Sequence, residues 1–238
     1  DPELAQLIAR SLEFSALTGG AFDISYASVG YLYEYREHRR PSAAEIEAAL
    51  PAVDWRAIEV DLQSSTVRFL RPGMRIDLGG IAKGYAVDRS LAILRARGIA
   101  HATVTAGGDS GILGDRRGRP WVVGIRHPDD PQRVIARIPL EDAAISTSGD
   151  YERYFEEGGV RYHHIINPRT GRSATGVRSA TVIGPEATLT DGLSTSLFVL
   201  GVERGLALVN ARDDVDAVIV TDDGRVFYSN GLEPPRQE

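Results

Sequence analysis

Cysteine is absent from the 238 residues, and methionine occurs once. Disulfides, thiolate metal sites and a cysteine nucleophile are therefore excluded, while the compartment stays open, because a cysteine-free chain suits reducing and oxidising surroundings alike. A long basic run is also missing. Lys and Arg number 27 against 33 Asp and Glu, for a formal charge of -6. A short arginine cluster, Arg116, Arg117 and Arg119, sits among Gly114 and Gly118 and reads as a solvated turn, so no nucleic-acid partner is expected. No apolar run approaches the roughly 20 residues that span a bilayer, so no transmembrane segment is expected. No signal peptide is visible. The chain opens at Asp1-Pro2 without an initiator Met, directly ahead of a helix-like stretch, and reads as a domain lacking its N-terminal segment. What is present is ordinary globular composition, 42% hydrophobic and 25% charged, enough for one compact unit of two lobes or a large single domain.

Apolar residues at Leu4, Leu7, Ile8, Leu12 and Leu17 mark a helical face over Pro2 to Leu17, ended by Thr18-Gly19-Gly20. Ser42-Ala43-Ala44-Glu45 after Pro41 is a capping box, so a helix runs to about Leu50. Strands are expected at Ala57 to Asp61 and Thr66 to Leu70. Met74 to Leu78 reads as a short strand, Gly79-Gly80 as a break, Ile81 to Arg97 as a helix and Ala102 to Thr105 as a strand. That makes a strand–helix–strand unit of about thirty residues, and suggests a mixed sheet with helical cover. Further strands are expected at Trp121 to Arg126, Val134 to Leu140, Tyr162 to Ile166 and Ser179 to Ile183. A second helical block covers Leu189 to Val209, bent or broken at Gly201. Ala217 to Tyr228 is a hairpin turning at Asp222-Asp223-Gly224, and Glu233-Pro234-Pro235 is a tail.

Five segments can carry chemistry. Asp77-Leu78-Gly79-Gly80-Ile81-Ala82-Lys83-Gly84 puts a carboxylate before two glycines and a lysine on the first helical turn, where free amides and the helix dipole favour an anion. Its spacing matches neither common phosphate-loop pattern, and a tight turn with a surface lysine explains the same letters. In Thr190-Asp191-Gly192-Leu193-Ser194-Thr195, Asp191 and Thr195 share one helical face and offer oxygens to a hard cation; Ser194 lies one residue off that face. The alternative is a helix start capped by Thr190, with Asp191 answering the dipole. His163 and His164 point to opposite faces of a strand, so one can face a cleft as a base, or lie at an edge without a role. Thr18 to Asp23 lets a planar ring approach Gly20 and Ala21 beside Phe22, or is a helix cap followed by a buried Phe. Ile145-Ser146-Thr147-Ser148-Gly149-Asp150-Tyr151 offers hydroxyls to a ligand, or is a polar turn before a helix.

The order of the motifs along the chain resembles the ApbE family, the FAD:protein FMN transferases. The segments concerned are Thr-Gly-Gly-Ala-Phe-Asp (18–23), Asp-Leu-Gly-Gly-Ile-Ala-Lys-Gly-Tyr-Ala-Val-Asp (77–88), Gly-Gly-Asp (107–109), Ile-Ser-Thr-Ser-Gly-Asp-Tyr (145–151), His-Ile-Ile-Asn-Pro-Arg-Thr-Gly (164–171) and Ala-Thr-Leu-Thr-Asp-Gly-Leu-Ser-Thr (187–195). The resemblance implies an α/β (α+β), T-fold-like architecture of two similar lobes of mixed sheet with covering helices, and a flavin cleft between the lobes. It implies Mg²⁺ on Asp191, Thr195 and the Gly80 carbonyl, with Ser194 near the metal. It implies flavin contacts from Ala21, Phe22, Asp23, Asp77, Lys83 and the Ile166 backbone, and places His164 near the reacting phosphate as a catalytic group together with Asp77.

By the same resemblance, the substrates are FAD and an acceptor flavoprotein subunit carrying a flavinylation motif. FMN passes to a Thr or Ser hydroxyl and AMP leaves. Two alternatives stay open: a FAD pyrophosphatase giving FMN and AMP, and a non-catalytic FAD-binding protein. Three departures from the family pattern stand out. Members usually begin well before a segment like Asp1 to Leu17, and that earlier part supplies further flavin contacts. Many carry a Pro-Leu-containing stretch where this chain has Ile24 to Tyr33. Asn167 stands where Asp is usual, in a turn that accepts either. Members are often lipoproteins on the outer face of the cytoplasmic membrane; these residues assign no compartment.

Overall fold

The computed structural model describes residues 1–232; the tail expected at 233–235 lies outside the described residues. In chain order the helices are α1 (Pro2–Leu17), α2 (Ala27–Gly30), α3 (Ala43–Ala49), α4 (Ala82–Ala96) and α5 (Ala187–Asn210). The strands are β1 (Ile58–Asp61), β2 (Thr66–Phe69), β3 (Ala102–Ala106), β4 (Asp109–Leu113), β5 (Trp121–His127), β6 (Asp130–Leu140), β7 (Ala144–Gly149), β8 (Tyr154–Glu157), β9 (Val160–His163), β10 (Ile166–Asn167), β11 (Arg172–Ser173), β12 (Val177–Gly184), β13 (Asp216–Thr221) and β14 (Val226–Tyr228). They form two compact units, one of residues Asp1–Gly80 with Asp150–Thr175, the other of Ile81–Gly149 with Gly176–Glu238.

In the first unit, α1 starts where the Asp1 carboxylate accepts from the Glu3 and Leu4 amides at 2.8 and 3.2 Å, and buries Leu7, Ile8 and Phe14 along one stripe. Its C-cap Thr18 is followed by Gly19 and Gly20, both with positive φ, as a helix end requires. The capping box of α3 is present, with Ser42 and Glu45 answering each other's backbone amides. Ladders in this unit have two strands each: β1–β2, β8–β9 and β10–β11.

The second unit holds a six-stranded sheet in the order β14-β13-β12-β7-β4-β3. Alternation sends Ile112 and Ile145 to one face, where Ile125 and Leu140 of the β5–β6 hairpin cover them. It sends Leu113 and Ala144 to the other, under Val87 and Leu91 of α4 and Ala187 of α5. All described ladders are antiparallel; within the α/β class this replaces the mixed sheet that the strand–helix–strand pattern suggested.

Three local expectations are corrected. Met74 to Leu78 is not a strand: its polar groups go to loops, with the Asp77 amide donating to the Ile24 carbonyl at 2.9 Å and the Arg75 amide to Ser28 Oγ at 3.0 Å. Tyr162 to Ile166 is two strands, interrupted where the Ile165 amide donates to the His163 ring at 3.3 Å. Of Ile145 to Tyr151, the part up to Gly149 lies in β7, a central strand, and the turn comes only at Asp150 and Tyr151, with no helix after it. The helix α5, which includes Gly201 in a non-helical conformation, has the length to cross a membrane and an 18-residue window of mean hydropathy 1.4. Its burial of Thr190, Asp191, Ser194 and Ser196 against β7 and β12 is that of a core helix.

Candidate functional site

In the second unit, α4 and α5 cap each other. Neither helix has a side-chain cap of its own, at Ile81 or Glu186. Asp88 of α4 accepts from the Ala187 and Thr188 amides at 2.8 Å each and from Thr188 Oγ1 at 2.5 Å. Asp191 of α5 accepts from the Gly84 amide at 3.0 Å. The expected start of this helix at a Thr190 cap is thereby corrected: the helix begins at Ala187 and Asp88 caps it from outside. Gly84 is required by this exchange, since a Cβ there would lie 2.8 Å from the Asp191 Cβ and overlap the Ala187 carbonyl.

Around that crossing the predicted residues gather. Lys83 Nζ pairs with Asp191 Oδ1 at 3.2 Å and with Asp109 Oδ2. Asp191 and Asp109 are 2% and 1% exposed, while the Lys83 side chain is 45% exposed, so the lysine reaches in from the surface toward two dry carboxylates. Burial, and after it the Asp109 charge, push Asp191 up to about 6, against the opposing pull of Lys83 and the Gly84 amide. Burial pulls the Lys83 ammonium down, and the two carboxylates more than reverse it, leaving it above its ordinary value. One turn on, Ser148 Oγ lies 2.8 Å from Ser194 Oγ and 3.1 Å from Thr195 Oγ1, and Ser146 Oγ lies 2.7 Å from Thr190 Oγ1. Lys83, Asp191, Ser194 and Thr195 are thus brought together, with Ser148 supplying one of the hydroxyls. Sequence reasoning missed Asp109 and Asp88 as members of the cluster; both stand inside the quoted motifs, which was the only signal for them.

In the first unit, the remaining candidates fall on neighbouring loops. Ala21 and Phe22 are buried, with the Phe22 ring 5.7 Å from that of Phe14. The Asp23 carboxylate accepts from the Ser25 amide and hydroxyl at 2.8 and 2.6 Å and from the Trp55 amide at 3.2 Å. Burial raises its pKa over the opposing effect of those bonds. Asp77, exposed, accepts from the Gly79 amide at 2.6 Å. It also bonds the hydroxyl of the half-buried Tyr26, whose pKa is pushed well up by desolvation and then by the Asp77 charge. Gly80 closes this unit's first segment. The Ile166 backbone pairs with Ser173, and the Asn167 side chain accepts from the Arg169 amide at 3.0 Å, the turn role expected of it. Of the two histidines, His163 is 3% exposed and its Nε2 meets the Ala174 carbonyl at 2.8 Å, a packing role. His164 is half-buried, and its amide donates to the Arg153 carbonyl at 3.1 Å.

What fold and cluster define is an α/β protein with an all-oxygen polar centre on crossed helices, served by one lysine and by neither thiol nor imidazole. The chain belongs to the ApbE family, whose sequence model matches residues 1–219. It is 37% identical over 232 residues to the FAD:protein FMN transferase of Rhodobacter capsulatus, covering 95% of this chain and 44% of that protein. It is 36% identical to that of Treponema pallidum, covering 98% and 69%. Among solved structures, the ApbE protein of Thermotoga maritima superposes with a TM-score of 0.90 at 39% identity, covering 97% of this chain and 77% of that one. The flavin transferase ApbE of Vibrio cholerae gives 0.83 at 32%, covering 94% and 74%. The chain spans less than half the length of the Rhodobacter relative and about 70% of the Treponema one.

Proposed function

We propose that this chain is a Mg²⁺-dependent FAD:protein FMN transferase, which moves FMN from FAD to a Thr or Ser hydroxyl of an acceptor protein and releases AMP. The observation that carries the reading is the Lys83–Asp109–Asp191 cluster with its adjoining hydroxyls, in a chain whose relatives bear that activity in their names.

A hard divalent cation suits this donor set. Among the described residues no group of three or more His, Cys, Asp or Glu gathers, and Mg²⁺ is commonly held by only one or two carboxylates, with water and substrate phosphates completing its shell. Asp109 Oδ1 is buried with no hydrogen-bond partner, and two buried carboxylates share one ammonium, which leaves negative charge for a cation to meet. Asp191, Thr195 and the Gly80 carbonyl would hold the ion, with Ser194 beside it. Bound there, Mg²⁺ supplies charge neutralisation at the diphosphate as AMP leaves.

The protein's own groups account for the remaining steps. Lys83 holds the phosphates or the flavin edge; Ala21, Phe22, Asp23 and the Ile166 backbone hold the flavin, and Asp77 orients the ligand. His164 takes the proton of the attacking acceptor hydroxyl, whose oxygen bonds the FMN-side phosphorus while the bond from that phosphorus to the oxygen of AMP breaks. Incubation with FAD, Mg²⁺ and a peptide carrying a flavinylation motif tests this: covalent flavin on the peptide, matched by AMP, is expected. Free FMN without labelled peptide would mark a pyrophosphatase, and tight FAD binding without AMP a carrier.

A further inference from the structure

Asp109 is a buried acid to which the proposed reaction gives no task. It opens β4 opposite Ser146, is 1% exposed, and bonds Lys83 through Oδ2 while Oδ1 has no partner. The turn before it is shaped for that contact. Gly107 has a φ of +61°, and a Cβ there would lie 3.4 Å from Lys83 Cδ. A Cβ on Gly108 would come within 2.8 Å of the Thr147 carbonyl oxygen. The positive φ of Gly107 turns the chain, and the bare Cα of Gly108 lets the backbone press against β7, which sets Asp109 at the start of β4, where its carboxylate meets the ammonium.

Resting on the reading of Asp191 as a cation ligand, we infer that Asp109 is a positioning residue, the carboxylate that retains Lys83 when Asp191 turns to the cation. Without a cation, one ammonium neutralises both acids. A cation on Asp191 competes for the Oδ1 that Lys83 now contacts, and repels the ammonium. Asp109 offers the displaced lysine a charge partner, with a spare acceptor in Oδ1 for an ammonium that has three hydrogens to donate. Lys83 then stays charged and close, available to phosphate, instead of competing for the metal ligand. Removing one partner of such a buried set leaves the other over-committed.

Mn²⁺ titrated into the full chain without flavin, with free ion counted by electron paramagnetic resonance, tests the inference. The unchanged protein is expected to bind the ion and Asp191→Ala to lose it; if the two behave alike, the cation reading of Asp191 itself fails. Asp109→Asn leaves Lys83 only Asp191 and should weaken binding about tenfold, the weight of one partly screened charge contact. Lys83→Met removes the competitor and should tighten binding about tenfold. The double variant should bind at least as well as the unchanged chain, so the second change rescues the first. A double variant as weak as Asp109→Asn would make Asp109 a direct ligand, and an unaffected Asp109→Asn would make it structural only; either result overturns the inference. Should Asp109→Asn fail to fold, Lys83→Met alone decides: tighter binding supports the competition, and unchanged or weaker binding overturns it.

Discussion

At the scale of single residues, Asp191 combines three positions that are rarely found in one side chain: it is 2% exposed, it caps a neighbouring helix and it faces a lysine shared with a second acid. Its replacement by alanine should lower Mg²⁺-dependent AMP release from FAD at least about a hundredfold, roughly 2.7 kcal/mol of transition-state stabilisation. AMP release that keeps its rate and its Mg²⁺ response would remove Asp191 from the metal site. Asp23 gives a pH effect whose sign follows from burial. Its folded pKa lies above the 3.8 of the open chain, so the native state binds the proton more tightly. That contribution to stability is present below 3.8 and is lost as pH rises through the folded value. Asparagine has no such proton. The stability of the unchanged chain minus that of Asp23→Asn, from denaturant midpoints between about pH 3 and pH 7, should therefore fall with rising pH; a rise would show the Ser25 and Trp55 bonds outweighing burial. Asp191, Lys83 and Thr195 could be singled out from the sequence because helix spacing and a glycine turn are local. Asp109 could not, since its partners lie 26 residues and more away in the chain.

Single elements divide along the same line. The ends of α1 and α3 were legible because their caps sit within three residues of the helix they start. The break in α5 was legible at Gly201, whose φ of +78° favours glycine. Met74 to Leu78 misled because a strand exists only with a partner, and this segment's groups are taken by Ile24 and Ser28. The serines of β7 looked like a turn because the hydroxyls that satisfy Ser146 and Ser148 belong to α5, more than 40 residues on. The start of α5 was illegible for the same reason: its cap comes from α4. Asp88→Ala strips that cap from two amides and one hydroxyl and should cost about 1–2 kcal/mol in urea unfolding, with Asp88→Asn recovering part. A cost near zero for Asp88→Ala would mean that water replaces the carboxylate. Gly84→Ala should cost about 1–3 kcal/mol by the opposite route, forcing apart two helix backbones that now touch.

For the whole molecule, the motifs that identify the family are spread from Thr18 to Thr195, and the family model covers residues 1–219. No single stretch of this chain would have sufficed, because each motif alone also suits a cap or a turn. The same spread has a thermodynamic consequence. A ligand that binds only the native chain stabilises all of it by mass action, by about 2.7 kcal/mol at a hundredfold excess over its dissociation constant. For a chain of this size that corresponds to a rise in Tm of roughly 5–10 °C. If FAD and Mg²⁺ occupy one site, each should raise the other's affinity, so their joint shift should exceed the sum of the separate shifts. Calorimetry with FAD alone, Mg²⁺ alone and both together measures this. Additive shifts would mean that flavin and metal bind independently, whereas a larger joint shift that disappears in Asp191→Ala would tie the cation to the diphosphate through that carboxylate. The control is riboflavin, which lacks phosphate: with Mg²⁺ it should give no shift beyond additivity, because the coupling depends on the phosphate oxygens that riboflavin lacks.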